Sequence, residues 1–116
     1  MIAVPSDANL FLYRQPTDMR KSFDGLAGIV RNELGREPTD GSWFLFINRR
    51  QDRIKILHWD RDGLALWYKR LEAGTFERVP GEGGPAVQID ATELSMLLGG
   101  MSLTAAKRRK RFTKAA

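Results

Sequence analysis

The side chains able to do chemistry are few, and they do not converge. There is no cysteine, so disulfide scaffolds, thiolate catalysis and Cys-ligated zinc are excluded. One histidine, His58, rules out multi-histidine metal sites, and its place in an apolar run makes it a core or edge residue before a general base. Asp60, Asp62 and Glu72 make a metal-binding trio on paper. Yet nothing in their spacing demands it, and an acid-rich turn closed by Gly63 is ordinary turn chemistry. The loop Gly81-Glu82-Gly83-Gly84-Pro85 is a poor phosphate cradle, because Pro85 removes an amide donor and a strand follows it. The expectation is a protein with no enzyme chemistry, no metal and no cofactor.

What remains is positive charge, and it is unevenly placed. The formal charge is +5 over 116 residues. Six of the 19 basic residues (Lys107, Arg108, Arg109, Lys110, Arg111 and Lys114) fall after residue 100 with no acid among them, which leaves the body one unit negative. Five consecutive like charges repel and bury little, so 105–116 reads as a mobile basic tail able to touch phosphates. In the body, Arg49, Arg50, Arg53, Lys55, Lys69 and Arg70 gather around one meander. Arg20 and Lys21 stand near a helix start, beside the positive end of its dipole, where they could be held out to meet an anion or a partner.

These cations need elements to hold them. Asn9 to Gln15 is a strand, bounded by Pro5-Ser6-Asp7 and Pro16. Met19, Phe23, Leu26, Val30 and Leu34 recur at helical spacing, with Thr17 or Asp18 as N-cap and Gly35 as the stop. Gly25 and Gly28 within it are expected to permit a close approach to another element. Trp43–Asn48, Arg53–Trp59 and Leu64–Leu71 form a meander, and Ala86–Ile89 a weaker strand. Asp90 and Glu93 make a capping box for a short helix carrying Leu94, Leu97, Leu98 and Met101, ended by Gly99-Gly100.

Turn positions fix a register, pairing Trp43 with His58, Leu45 with Ile56, Lys55 with Tyr68 and Leu57 with Leu66. One face then carries Trp43, Leu45, Ile47, Ile54, Ile56, His58, Ala65, Trp67 and Leu71, and is the expected seat of the first helix. The other mixes Phe44, Phe46, Leu57, Leu64, Leu66 and Tyr68 with Arg53, Lys55 and Arg70. Stacking aromatics bordered by cations are how several sheet modules hold single strands. The blander reading favours a second layer over this oily face, with the cations at its rim.

Two strings add a resemblance. Thr17-Asp18-Met19-Arg20-Lys21-Ser22-Phe23-Asp24-Gly25-Leu26 is the first, and Asp52 through Leu64, continued by Leu66 to Glu72, is the second. Over about residues 3 to 101 the chain closely resembles the small accessory protein of bacterial insertion sequences of the IS-sixty-six family, often labelled TnpB. The resemblance implies a helper of a separate, larger transposase, with no established catalytic residues. The Lys107–Arg111 run lies outside the shared region.

The combined expectation is one α+β domain at 1–104 with a basic tail at 105–116. It has an antiparallel meander sheet of four to five strands, one main helix on one face and a short C-terminal helix. Its function would be non-enzymatic help in transposition, by contact with nucleic acid at transposon ends, with the transposase, or with both. The alternative is a pure protein-interaction module that bridges transposase subunits through the second sheet face. No run of residues is apolar enough for a membrane span, and a cytoplasmic location is expected.

Overall fold

The computed structural model of the chain describes residues 3–79, 83–104 and 111–114. Its elements follow the order β1 (Leu10–Tyr13), α1 (Phe23–Asn32), β2 (Trp43–Ile47), β3 (Arg53–Asp60), β4 (Gly63–Arg70), β5 (Ala86–Ile89) and α2 (Ala91–Gly99). The strands form one sheet in the order β4-β3-β2-β1-β5. This is the expected α+β architecture, with one refinement. β1 runs parallel to β2, so the chain crosses over the sheet through α1 between them. No helix among the described residues is long and apolar enough to cross a membrane.

The meander register is the one set by the turns. Trp43 faces His58, Leu45 faces Ile56, Leu57 faces Leu66 and Lys55 faces Tyr68. The β3–β4 hairpin places its left-handed residue at Arg61 (φ 55°) instead of at a glycine, and Gly63 opens β4 opposite Asp60. In the β2–β3 turn Gln51 is left-handed (φ 62°) and its N–H donates to Asn48 C=O at 3.0 Å.

The two faces have the expected composition, but the helices are exchanged between them. Leu26, Ala27 and Val30 of α1 pack on Phe11, Tyr13, Phe44, Phe46 and Leu57, which is the mixed aromatic face. Leu94, Leu97 and Leu98 of α2, with Phe76 from the segment after β4, cover Leu10, Leu12, Trp43, Leu45, Ile47, Ile54 and Ile56. A crossover between parallel strands has a strongly preferred hand, and that hand decides which face the connecting helix meets. Both faces are apolar enough to receive a helix, so pattern alone did not choose. The second face is therefore covered over β1 to β3, and it offers no open surface there for bases or for a bridging partner.

The start of α1 also differs from expectation. The helix begins at Phe23, with Ser22 in the N-cap position making no side-chain cap. Asp18 Oδ1 accepts from Arg20 N–H at 2.9 Å, and Asp18 C=O accepts from Lys21 N–H at 3.1 Å, which folds 18–21 into a turn. Short polar side chains compete with helix in this way. Gly28 approaches nothing, since a Cβ there would meet open space, and at Gly25 it would meet only the Lys21 side chain at 3.1 Å. The close approach expected at these glycines is absent. At the other end of the chain, α2 carries its full capping box, with Asp90 Oδ1 accepting from Glu93 N–H at 2.7 Å and Glu93 Oε1 from Asp90 N–H at 3.1 Å. Gly100 closes the helix in the left-handed conformation (φ 90°).

Candidate functional site

The β2–β3 turn is short and polar because both flanking strands are buried, so its own side chains must project into solvent. Arg49 and Arg50 stand exposed at its tip. Arg53 opens β3 directly opposite Arg70, the last residue of β4, so the arginines meet at one end of the sheet. The loop before α1 is drawn to the same end by Thr17 N–H, which donates to Ile47 C=O at 2.9 Å. Together Thr17, Asp18, Met19, Asn48, Asp52 and Arg49, Arg50 and Arg53 line an open concavity of about 320 Å³.

The acids at this end are otherwise engaged. Asp52 Oδ1 accepts from Asn48 Nδ2 at 2.7 Å, while Asn48 Oδ1 accepts from Arg53 N–H at 3.0 Å. Asp18 is held by Arg20, whose Nε and Nη2 reach its carboxylate at 3.0 and 2.7 Å. That guanidinium, bonding to the carboxylate, holds the Asp18 pKa down to about 2 and raises that of Arg20 in turn. Among the described residues neither Arg49, Arg50 nor Arg53 is ion-paired to an acid. Arg53 Nη1 donates to Tyr68 Oη at 3.1 Å, which orients the guanidinium without neutralising it.

The other cations singled out in the sequence are distributed differently. Lys55 is not at the border at all. It is 6% exposed, its Nζ donates to Met19 C=O (2.8 Å) and Lys21 C=O (2.7 Å), and it lies 4.6 Å from the Tyr68 ring centre. The physical reason is the α1 layer, which encloses the centre of β3 and turns a surface lysine into a pin for the loop preceding the helix. Lys69 alternates to the α2 side and lines a separate recess with Leu98, Arg111 and Phe112. Arg70 is ion-paired to Glu72 at 3.0 Å on the surface. Arg20 is paired as above, and Lys21 is exposed beside it. Arg111 is folded back on the body, its Nη1 donating to Thr75 C=O (2.8 Å) and its Nη2 to Leu97 C=O (3.2 Å), with the guanidinium 5.2 Å from the Phe76 ring centre. A cation is favourable at the C-terminal carbonyls of a helix, which is where Leu97 sits. Lys107, Arg108, Arg109 and Lys110 lie outside the described residues.

Two contributors escaped the sequence reading. Arg78 brings another guanidinium to the same end, its Nη1 donating to Asn48 C=O at 3.0 Å. It sits in an irregular stretch with no periodicity to announce it. Thr17 has a buried hydroxyl with no hydrogen-bond partner, beside the arginine-lined concavity. Burial of a loop threonine leaves no sequence signal. His58 stacks on Trp43 with ring centres 3.8 Å apart and planes within 7°, at the opposite end of the sheet from the arginines. Among the described residues no three metal-ligating side chains come together.

Two relatives from Sinorhizobium fredii are similar to the chain. The uncharacterized protein y4jC is 35% identical over 118 residues, spanning 100% of both chains. The uncharacterized protein y4hO is 40% identical over 85 residues, spanning 73% of each. No solved structure matches the chain. The family model described as IS66 Orf2 like protein matches residues 8–108, which is further than the sequence strings reach and takes in Lys107 and Arg108. Every strand, both helices and the arginine-bearing turn fall inside that match, and the chain belongs to the IS66 Orf2-like family of insertion-sequence accessory proteins.

Proposed function

We propose that this chain is a non-catalytic accessory of insertion-sequence transposition that grips DNA of the element through its arginine end, in the cytoplasm and alongside the element's transposase. The observation that carries the reading is the set Arg49, Arg50 and Arg53, gathered at one end of the sheet with no acid paired to them among the described residues. Lys21 and the surface pairs of Arg20 and Arg70 flank that set, Lys69 adds charge from the α2 side of the same end, and Lys107 to Lys110 would add sequence-independent affinity. Guanidinium groups on a short turn suit phosphate oxygens, which position a protein on a duplex without reading its sequence. Lys55 and Arg111 have no part in the grip, because their charges are already engaged by backbone carbonyls.

The test is binding to an element-end duplex and to a scrambled duplex across a salt series, for the wild type and for Arg49→Ala/Arg50→Ala. Each phosphate contact contributes about −0.9 to the slope of log K against log salt, so the double variant should lose about two units of slope on both duplexes. An unchanged slope and affinity in the double variant would refute the reading. Binding lost only on removal of residues 105–116 would transfer the grip to that segment.

A further inference from the structure

The sheet has two edges of very different character. β5 is four residues long, whereas β4 has eight, and among the described residues no strand lies beyond it. Long apolar edges are ordinarily blunted by charge, proline or a bulge. β4 carries Lys69 and Arg70 only at its end, and its middle reads Leu64-Ala65-Leu66-Trp67-Tyr68. Tyr68 is 46% exposed on that edge.

The direction of the unpaired backbone groups can be derived. Leu71 N–H donates to Asp52 C=O at 2.7 Å, so the backbone groups of Leu71 face β3. Backbone groups alternate in direction along an antiparallel strand. Those of Gly63, Ala65, Trp67 and Lys69 therefore face β3 as well, while Leu64, Leu66, Tyr68 and Arg70 point their N–H and C=O outward.

From these observations we infer that β4 pairs antiparallel with β4 of a second copy of this chain, about a two-fold axis at Leu66, to make a continuous ten-stranded sheet. An isologous edge must complement itself, and this one does so in one register. With Leu66 opposite the partner's Leu66, Leu64 faces Tyr68, and Asp62 faces Arg70, whose partner within the chain is Glu72. The opposed strand residues are then ones with outward backbone groups. Sliding the axis to Tyr68 sets Arg70 against the partner's Leu66, and sliding it to Leu64 sets Asp62 against that leucine. Opposite charges directly opposed across strands are favourable and both slides lose the Asp62–Arg70 pair to a charge facing leucine, so charge selects the Leu66 register. Tyr68, exposed in the single chain, gains a leucine against its ring.

The experiment uses the absence of native cysteine. Directly opposed residues in a hydrogen-bonded antiparallel pair have Cα atoms about 5.5 Å apart, within disulfide reach. Leu66→Cys should oxidise to a covalent dimer, Leu64→Cys should couple to Tyr68→Cys in a mixed sample, and Gln88→Cys on the opposite edge should form no cross-link. Sedimentation equilibrium of the wild type should give twice the 13.2 kDa chain mass at micromolar concentration. Asp62→Lys, a surface change that leaves the fold intact, should weaken the dimer about tenfold, and adding Arg70→Glu should restore it. A wild type that sediments as a monomer, a Leu64→Cys that couples to itself before Leu66→Cys does, or a charge swap without rescue would each overturn the pairing.

Discussion

Replacing Lys55 by methionine tests whether that lysine is a structural pin or a ligand contact. Methionine keeps most of the buried stem and removes only the ammonium. The ammonium makes two hydrogen bonds, at 2.8 Å to Met19 C=O and 2.7 Å to Lys21 C=O. Hydrogen bonds to a charged group contribute about 1.5–3 kcal/mol each, and two carbonyls would be left without this donor. Against this, the variant no longer has to bury a charge, which returns part of the loss. The net expectation is a destabilisation of about 2–3 kcal/mol and a fall in Tm of about 10 °C. Urea unfolding followed by tryptophan fluorescence reads the first quantity, with an unchanged m-value. Amide exchange should accelerate from Met19 through the first turn of α1, because that segment loses its anchor to β3. Salt-dependent DNA binding should keep its slope. A variant as stable as the wild type but weakened in DNA binding would refute the structural assignment and return Lys55 to the grip.

Gly28→Ala should stabilise the protein by about 1 kcal/mol in the same urea assay, since a Cβ there meets open space and the residue is not left-handed. Arg111→Met should cost about 1–2 kcal/mol through the loss of its bonds to Thr75 and Leu97 carbonyls, with DNA affinity otherwise retained. Carboxyl NMR of Asp18 should show a midpoint of about 2, moving up toward the ordinary carboxylate value in Arg20→Ala. The sign follows from a depressed folded pKa. The contribution of the Arg20–Asp18 pair is present above the ordinary carboxylate value and is lost as pH falls toward 2. Tyr13, whose pKa is raised by burial and then by Glu33, should resist ionisation in the folded state, so stability should fall as pH rises above 10.

The meander was legible residue by residue because its turns are short and each leaves a single register that keeps the apolar sets on their faces. The α2 helix was legible from Asp90, Glu93 and Gly100, whose capping roles are local. What the sequence concealed is tertiary. Leu26, Ala27 and Val30 declare a buried stripe but not the face that receives it, which depends on the hand of the β1–α1–β2 crossover. The fate of Lys55 follows from that same choice, since under the other arrangement it would border solvent. Met19 continues the helical spacing without being helical, because Asp18 captures Arg20 N–H and Lys55 takes the Met19 and Lys21 carbonyls. Periodicity is blind to both contacts. At the arginine end, Arg49 and Arg50 were legible as turn residues, but the neutralisation of Arg20 and Arg70 by Asp18 and Glu72 depends on side-chain geometry that spacing alone does not fix.

The edge pairing and the arginine end constrain each other. Arg70 lies four residues from Leu66, about 14 Å along the strand at 3.4 Å per residue, and the Arg49–Arg50 tip lies a further turn beyond Arg53, its cross-strand partner. The two-fold axis doubles that distance and sends the two tips to opposite ends of the joined sheet. With strands spaced about 4.8 Å apart, the tips are separated by on the order of 40 Å. One turn of B-DNA is about 34–36 Å, a mismatch that arginine side chains and sheet twist can absorb. A paired sheet therefore presents two equivalent grips to phosphates about one helical turn apart, whereas a single chain presents one. The Asp62→Lys variant changes no residue of the grip, yet it should weaken DNA binding at low protein concentration and recover it when an added Leu66→Cys disulfide locks the dimer. Recovery of DNA affinity without recovery of the dimer would separate the two surfaces and break this coupling.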